Sequence, residues 1–198
     1  MQENAYFCTQ NVVIVKYMTA PEYVQLKAYA RQDGFFLAIL WIASFASYIL
    51  GLSNQILAMV AMLMVVTTPF FVASRLRKFR DEGREGAISF ARSYAYTVFV
   101  FFYGAVLLAV AQYLYFAYID NGYLVNSFTK MISTEEGRAM LEQYGMTKMV
   151  DDSLAEMAMT RPIDYALNFL TINITLGFIL GLPIGVIMQK RRIEELNN

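Results

Sequence analysis

The sequence predicts an all-α membrane protein with four transmembrane helices and a helical extracytoplasmic loop between spans three and four. Three observations support this prediction. Hydrophobic residues make up 58% of the 198 residues and charged residues only 16%, far from the usual soluble composition. Four apolar runs approach or exceed the length that a ~30 Å hydrocarbon core requires. Lys and Arg are concentrated at one side of these runs, which orients them in the bilayer.

The four apolar runs define the predicted spans within a single membrane domain that covers residues 1–198. The first two runs are at the short end of the spanning range, and the third has Tyr residues clustered at both ends, as expected at a membrane interface. We expect an amphipathic helix from Thr19 onward, either at the membrane surface or continuous with the first span. The spans are predicted at residues 35–51, 56–73, 94–119 and 163–188.

The distribution of basic residues predicts the orientation. Residues 1–33, 75–92 and 189–198 contain 12 of the 16 Lys and Arg residues, and residues 120–164 contain the other four. Segments rich in Lys and Arg beside a span stay in the cytoplasm. We therefore expect both termini, including residues 1–33, and a short basic loop at 75–92 to be cytoplasmic, and residues 120–162 to be external.

The external loop is predicted to contain two helices. Ser133 and Glu136 fit a capping box that begins the first helix, and Gly145 ends it. The second helix carries apolar residues at 146, 150, 154 and 157, which form one stripe. Such a stripe requires a covering surface, so we expect both helices to pack on each other and on the outer end of the bundle.

Glycines on the fourth span predict a close helix contact. Gly177, Gly181 and Gly185 recur every fourth residue and therefore lie on one face. This face is either an internal contact within the bundle, which is favoured because four spans already provide partners, or the seam of a homodimer.

Polar residues and prolines mark further positions within the spans. Buried amides and hydroxyls in lipid need hydrogen-bond partners, so we expect the polar residues to bridge helices. The two prolines are expected to kink their helices at similar depth, which suggests a repeated two-span hairpin, although chance similarity of apolar sequence explains it equally well. The polar residues are Asn168, Thr171, Asn173, Thr175 and Gln112, and the prolines are Pro69 and Pro183.

The composition includes few of the residue types that enzymes commonly use for catalysis. The chain has no His and a single Cys, Cys8, which removes the commonest general base and any His-paired nucleophile. Asp120 and Asp164 are the best acidic pair, but each fits an ordinary role in a turn or at a helix start. We expect no enzyme activity, no catalytic, metal or cofactor-binding residues, and, with a net charge of zero, no nucleic-acid partner.

Two functions remain open, and the lipid bilayer is the partner common to both. A non-enzymatic accessory or scaffold subunit is favoured because nothing demands chemistry and the external loop is rich in Met, an adaptable contact residue. The alternative is a small-molecule transporter or passive pore acting as a dimer. An ion-coupled transporter normally keeps an ionisable residue inside the membrane, and the middle of each predicted span lacks one.

The order of these features resembles a family of small bacterial inner-membrane proteins of unknown function. Residues 88–96 before the third span, residues 115–120 after it, the two-helix loop and Pro162 carry the resemblance, which covers roughly residues 30–192. It implies a four-span, multi-pass protein of the bacterial inner membrane and no particular activity. It also implies a membrane-protein partner such as an envelope glycosyltransferase, and it leaves the oligomeric state open.

The predicted orientation can be tested with reporter fusions. A reporter that is active only in the cytoplasm should be active when fused after Asn198 and inactive when inserted within residues 120–162, because of the Lys and Arg distribution. A fusion after Asn198 that is active only in the periplasm would contradict the orientation.

Overall fold

The computed structural model describes residues 19–190, which form seven α-helices and, in that part of the chain, no β-strand. Four of the helices are long and apolar enough to cross a membrane, which confirms the predicted fold class. Cys8, Arg191 and Arg192 lie outside the described residues. The helices are α1 (Ala20–Gly51), α2 (Gln55–Gly83), α3 (Phe90–Tyr118), α4 (Tyr123–Ile132), α5 (Glu135–Gln143), α6 (Thr147–Met159) and α7 (Pro162–Met188).

The first helix is continuous from the predicted surface helix into the first span. Thr19 caps it, and the Thr19 backbone N–H donates a hydrogen bond of 2.9 Å to Glu22 Oε2. At 1.5 Å per residue, its 32 residues extend for about 48 Å, well beyond a ~30 Å hydrocarbon core. The spanning part of α1 is therefore its second half, close to the predicted residues 35–51.

The predicted basic loop is mostly helix, which corrects the interpretation of residues 75–92. Helix α2 continues to Gly83, so the connection to α3 is only residues 84–89. Leu76 and Phe79, three residues apart, are 0% and 2% exposed and extend the buried stripe of α2 past the apolar run. The sequence prediction ended the helix where the apolar residues end, whereas the helix ends where its buried face ends.

Helix α3 is the centre of the bundle, with extensive contacts to both α1 and α7, while α2 packs against α1. A Cβ added at Gly34 of α1 would lie 2.7 Å from Tyr103 Cβ and 2.9 Å from the Val100 carbonyl oxygen of α3. The backbones of α1 and α3 therefore approach each other more closely than any larger residue would allow.

The glycines of α7 make the corresponding contact on the other side of α3. A Cβ at Gly177 would lie 2.5 Å from Phe101 Cβ, whereas Gly181 and Gly185 face the rings of Tyr94 and Phe90 at 3.0 and 3.1 Å. All three glycines are buried. In this chain the stripe of glycines faces an internal neighbour.

Pro69 and Pro183 both lie inside helices, α2 and α7 respectively, and neither ends its helix. Each removes one backbone hydrogen bond. The kinks expected at these positions stay a prediction, as does the hairpin repeat.

The loop between α3 and α7, which the sequence predicts to be external, contains one helix more than the sequence predicted. Helix α4 packs on the end of the bundle, where Leu124 forms a buried cluster with Ile49 and Phe116. Helix α5 has no buried residue, so the expectation that it packs on the bundle is wrong. In α6, by contrast, Val150, Leu154 and Met157 of the predicted stripe are half-buried, and Met157 packs against this cluster beside Phe128 of α4.

The cap of α5 also differs by one residue from the prediction. Thr134, not Ser133, is the N-cap, and its hydroxyl accepts a hydrogen bond of 3.1 Å from the Gly137 backbone N–H. Ser133 instead donates to the Thr129 carbonyl at the end of α4. Adjacent hydroxyls at 133 and 134 both satisfy the sequence pattern, and the end of the unpredicted α4 decides between them.

The packing of α7 on α3 can be tested at its tightest point. Gly177→Leu should lower the thermal stability of the protein in mild detergent by at least several degrees, since overpacking alone costs about 1–3 kcal/mol. Thr175→Leu, on the exposed side of the same helix, is the control and should change the melting temperature little. Equal melting temperatures for both variants would contradict the close contact.

Candidate functional site

The predicted polar residues of α7 do not bridge helices. Asn168, Thr171 and Thr175 are exposed and Asn173 is half-buried. Thr171, Asn173 and Thr175 donate hydrogen bonds to carbonyls four residues earlier in their own helix. A side chain that bonds to the i−4 carbonyl needs no partner on a neighbouring helix, so the expectation of bridges between helices is corrected. These bonds join Thr171 Oγ1 to Leu167 O (2.9 Å), Asn173 Nδ2 to Phe169 O (2.8 Å) and Thr175 Oγ1 to Thr171 O (2.8 Å).

Gln112 of α3 is buried, with 2% of its surface exposed. Its side-chain oxygen has no hydrogen-bond partner within residues 19–190. It therefore forms no bridge through that atom, and a bridge through the amide nitrogen stays a prediction.

The predicted acidic pair consists of two independently stabilised carboxylates. Asp164 accepts hydrogen bonds of 2.7 and 2.9 Å from Arg161 at the start of α7. Asp120 accepts the backbone N–H groups of Gly122 and Leu124, at 3.1 Å each, and thereby caps α4. Among the described residues, no group of three or more Asp, Glu, Cys or His side chains could hold a metal ion.

A buried polar cluster that the sequence did not predict joins three helices at the basic end of the bundle. Asp33 of α1 is 6% exposed and accepts a hydrogen bond from the hydroxyl of Tyr96 in α3, which is 0% exposed. Arg75 Nε of α2 lies 3.6 Å from Asp33 Oδ1. The Arg75 guanidinium also lies 4.8 and 5.3 Å from the ring centroids of Phe36 and Phe71, in cation–π geometry.

Aromatic packing holds the phenol of this cluster in place. The Tyr96 ring stacks on Phe79 at 5.0 Å between centroids and 7° between planes, and Phe79 also contacts Tyr29 at 5.0 Å. A carboxylate in apolar surroundings is retained only when it is paired and hydrogen-bonded. Asp33 meets both conditions, so the cluster can fix the rotation of α1, α2 and α3 relative to one another.

A second set of ion pairs lies at the same end of the bundle, nearer the start of α1. Glu22 Oε1 is 2.8 Å from Arg84 Nη2, and Glu22 Oε2 is 2.7 Å from Arg92 Nη2. The pKa of Glu22, which lies before the spanning part of α1, is lowered to about 2 by the hydrogen bond from the Thr19 backbone and then by Arg84 and Arg92. Its stabilising effect is therefore present above pH 4.5, the ordinary pKa of a Glu, and is lost as the pH falls toward 2.

The connection between α2 and α3 is also tied to the end of α7. Ile88 and Lys190 exchange two backbone hydrogen bonds of 2.9 Å. Arg80 Nη1 donates to the Met188 carbonyl at 3.3 Å, which complements the negative end of the α7 dipole. The basic end is therefore closed by polar contacts among all four long helices.

Sequence reasoning missed the Asp33 cluster because its residues fall at the borders of the predicted spans. Asp33 was assigned to the cytoplasmic segment and Arg75 to the basic loop, just outside the second span. A carboxylate directly beside Gly34, where an apolar run begins, was the available signal. Nothing in the sequence pairs it with Arg75 or with Tyr96.

Four helices that are long and apolar enough to cross a membrane define a multi-pass membrane protein. Residues 32–190 match the model of a family of proteins of unknown function, DUF4199. The chain belongs to this family, since the match covers well over half of it. This confirms the resemblance to a four-span family of unknown function. Comparison with curated proteins and with solved structures gave no match.

The structural role of the cluster can be tested by removing the charge of Asp33. Asp33→Asn should destabilise the protein by about 3 kcal/mol, because Arg75 is left partly buried without its counter-ion. For a chain of this length that corresponds to a melting temperature about 6–12 °C lower in mild detergent. Tyr96→Phe, which removes one hydrogen bond, should cost less, about 1–2 kcal/mol.

The matched control for that experiment is Asp81→Asn, which removes a carboxylate from the same end of the bundle. Asp81 is exposed and, within residues 19–190, forms a salt bridge only with its neighbour Arg80, and exposed pairs contribute little. Its melting temperature should stay within a degree or two of the wild type. An equal loss for Asp81→Asn and Asp33→Asn would show that the cluster has no special role.

Proposed function

We propose that this protein is a non-enzymatic accessory or scaffold subunit of an envelope process in the bacterial inner membrane, with both termini in the cytoplasm. The observation that supports it is the apolar surface of α5 and α6. Both helices are ordered, lie outside the four spans and have no buried residue.

Large apolar side chains cover this surface. The exposed fractions are 61% for Met140, 68% for Tyr144, 56% for Met149 and 85% for Met159. The Arg138 guanidinium and the Asp151 carboxylate, 3.1 Å apart, join α5 to α6. An apolar patch on a surface outside the lipid marks an interaction site.

The chemistry of this surface suits a protein partner. Met side chains adapt to the shape of another surface, and a buried Tyr is typical of interface hot spots. The segment from 120 to 164 holds eight Asp and Glu against four Lys and Arg, a balance that disfavours binding to an anionic lipid surface. A membrane protein of the envelope, such as a glycosyltransferase, fits these requirements.

The experiment is a comparison of co-purified partners between two double variants. Met140→Glu with Met149→Glu should reduce the partner recovered after cross-linking and mild-detergent purification by about tenfold or more, because two desolvated apolar contacts become charged. The partner is identified by mass spectrometry from wild-type membranes first.

The control places the same two charges on polar positions of the same helices, Gln143→Glu with Ser153→Glu, both exposed. It should retain the partner. Partner recovery that is equal in the two double variants would contradict the proposed surface.

A small-molecule transporter or passive pore acting as a dimer is the second candidate. The buried Asp33 cluster favours it, since coupled transporters keep ionisable residues within the bundle. The transporter ranks second because Asp33 is already paired with the Arg75 guanidinium and hydrogen-bonded to the Tyr96 hydroxyl. Solute movement across vesicles containing only this protein, and absent from vesicles without it, would decide for the transporter.

A further inference from the structure

Two adjoining cavities lie at the end of the bundle that carries α4. One has a volume of about 290 Å³ and is lined by polar and apolar groups that include Asp120, Asn126 and Thr160. The other, of about 210 Å³, is lined almost entirely by apolar and aromatic side chains. Phe116, Leu124, Met157 and Tyr165 line both cavities, so the two are adjacent, and a molecule with a polar end and an apolar chain would match the pair.

The polar cavity contains an anion that has no cation opposite it. Asp120 is 9% exposed, and within residues 19–190 no Lys or Arg forms a salt bridge with it. Its oxygens accept two backbone N–H groups, which hold the carboxylate in position and leave its negative charge in place. Buried charges are normally paired, so the site is complementary to a cation.

Aromatic rings beside Asp120 favour a particular kind of cation. Phe116 and Tyr165 stack at 4.6 Å between centroids and line both cavities. A carboxylate next to aromatic faces is a suitable environment for an organic ammonium.

The apolar cavity is placed to receive a hydrocarbon chain. Phe45 and Tyr48 of α1 form one side of it, and Phe169 of α7 forms the other. Tyr48 and Phe169 are 42% and 36% exposed, and both lie on helices that are long and apolar enough to cross a membrane. A chain can therefore enter from the bilayer between α1 and α7, at the level where the Tyr residues of α3 mark the membrane interface.

We propose that this cleft binds a phospholipid whose headgroup ends in a primary ammonium. The ammonium lies against Asp120 and the rings of Phe116 and Tyr165, and one acyl chain occupies the apolar cavity. Asn126, which is exposed and lines the polar cavity, supplies an amide donor for the phosphate at its mouth.

The test measures lipid binding to the full chain by native mass spectrometry from detergent. Phosphatidylethanolamine should bind at least about tenfold more tightly than phosphatidylglycerol with matched acyl chains, because only the former presents an ammonium to a buried carboxylate. Free ethanolamine at the same concentration should not compete, because it lacks the acyl chain.

Two variants locate the binding. Asp120→Asn should remove the preference for phosphatidylethanolamine. Because Asp120 also caps α4, Thr160→Lys is a second variant that leaves the cap intact and places an ammonium of the protein's own in the cavity, so that it excludes the lipid ammonium. Ser153→Lys on α6 is its control: Thr160 and Ser153 each donate to a carbonyl four residues earlier, but only Thr160 lines the cavity.

The proposal holds if Thr160→Lys abolishes the preference and Ser153→Lys retains it. Equal binding of the two lipids to the wild type would overturn it, as would a preference that survives Thr160→Lys. Full competition by free ethanolamine would show that the cleft binds the amine alone and would overturn the assignment of a lipid.

Discussion

The rest of the structure depends on the close approach of α3 to α1 and α7. Helices in a bilayer gain no hydrophobic free energy from touching one another, so contact distance decides whether they associate. Gly34 and Gly177 allow this contact on opposite sides of α3, since a Cβ at either would lie within 2.9 Å of an α3 atom. The same contact brings Asp33, the neighbour of Gly34, to Tyr96, one turn before Val100 on α3. The steric fit between the helices therefore determines where the buried hydrogen bond can form.

The two ends of the bundle differ in how completely the helices are joined by polar contacts. At the basic end, the Glu22 ion pairs, the Asp33 cluster and the bridge between Ile88 and Lys190 tie the long helices together. At the other end, α4 covers the helices incompletely and leaves two cavities. Recognition of a cation requires a negative charge that is not already paired within the chain. The end that carries α4 meets this condition, whereas the basic end supplies rigidity.

The number and position of the spans could be predicted from the sequence because they follow from local apolar length. Contacts between helices could not, because they depend on the rotation of each helix about its axis. Asp33, Arg75 and Tyr96 come together from three helices, and no spacing in the sequence relates them. The polar residues of α7 show the converse error: a Thr or Asn in a span suggests a bridge, yet the i−4 carbonyl satisfies it locally. Amphipathicity likewise predicted α6, but it did not predict α4, which shares the end of the bundle with Met157 of α6.

Two buried carboxylates illustrate how such a fold separates stability from recognition. Asp33 faces a guanidinium and a phenol from neighbouring helices, so its charge is compensated within the chain and its role is to hold helices together. Asp120 accepts two backbone N–H groups and forms no salt bridge within residues 19–190, so the carboxylate is oriented without being neutralised. Replacing Asp33 therefore removes a contact between helices, whereas replacing Asp120 removes the unpaired charge of a cavity that the bilayer can reach. The same residue type, at opposite ends of the bundle, serves internal packing in one case and contact with the surroundings in the other.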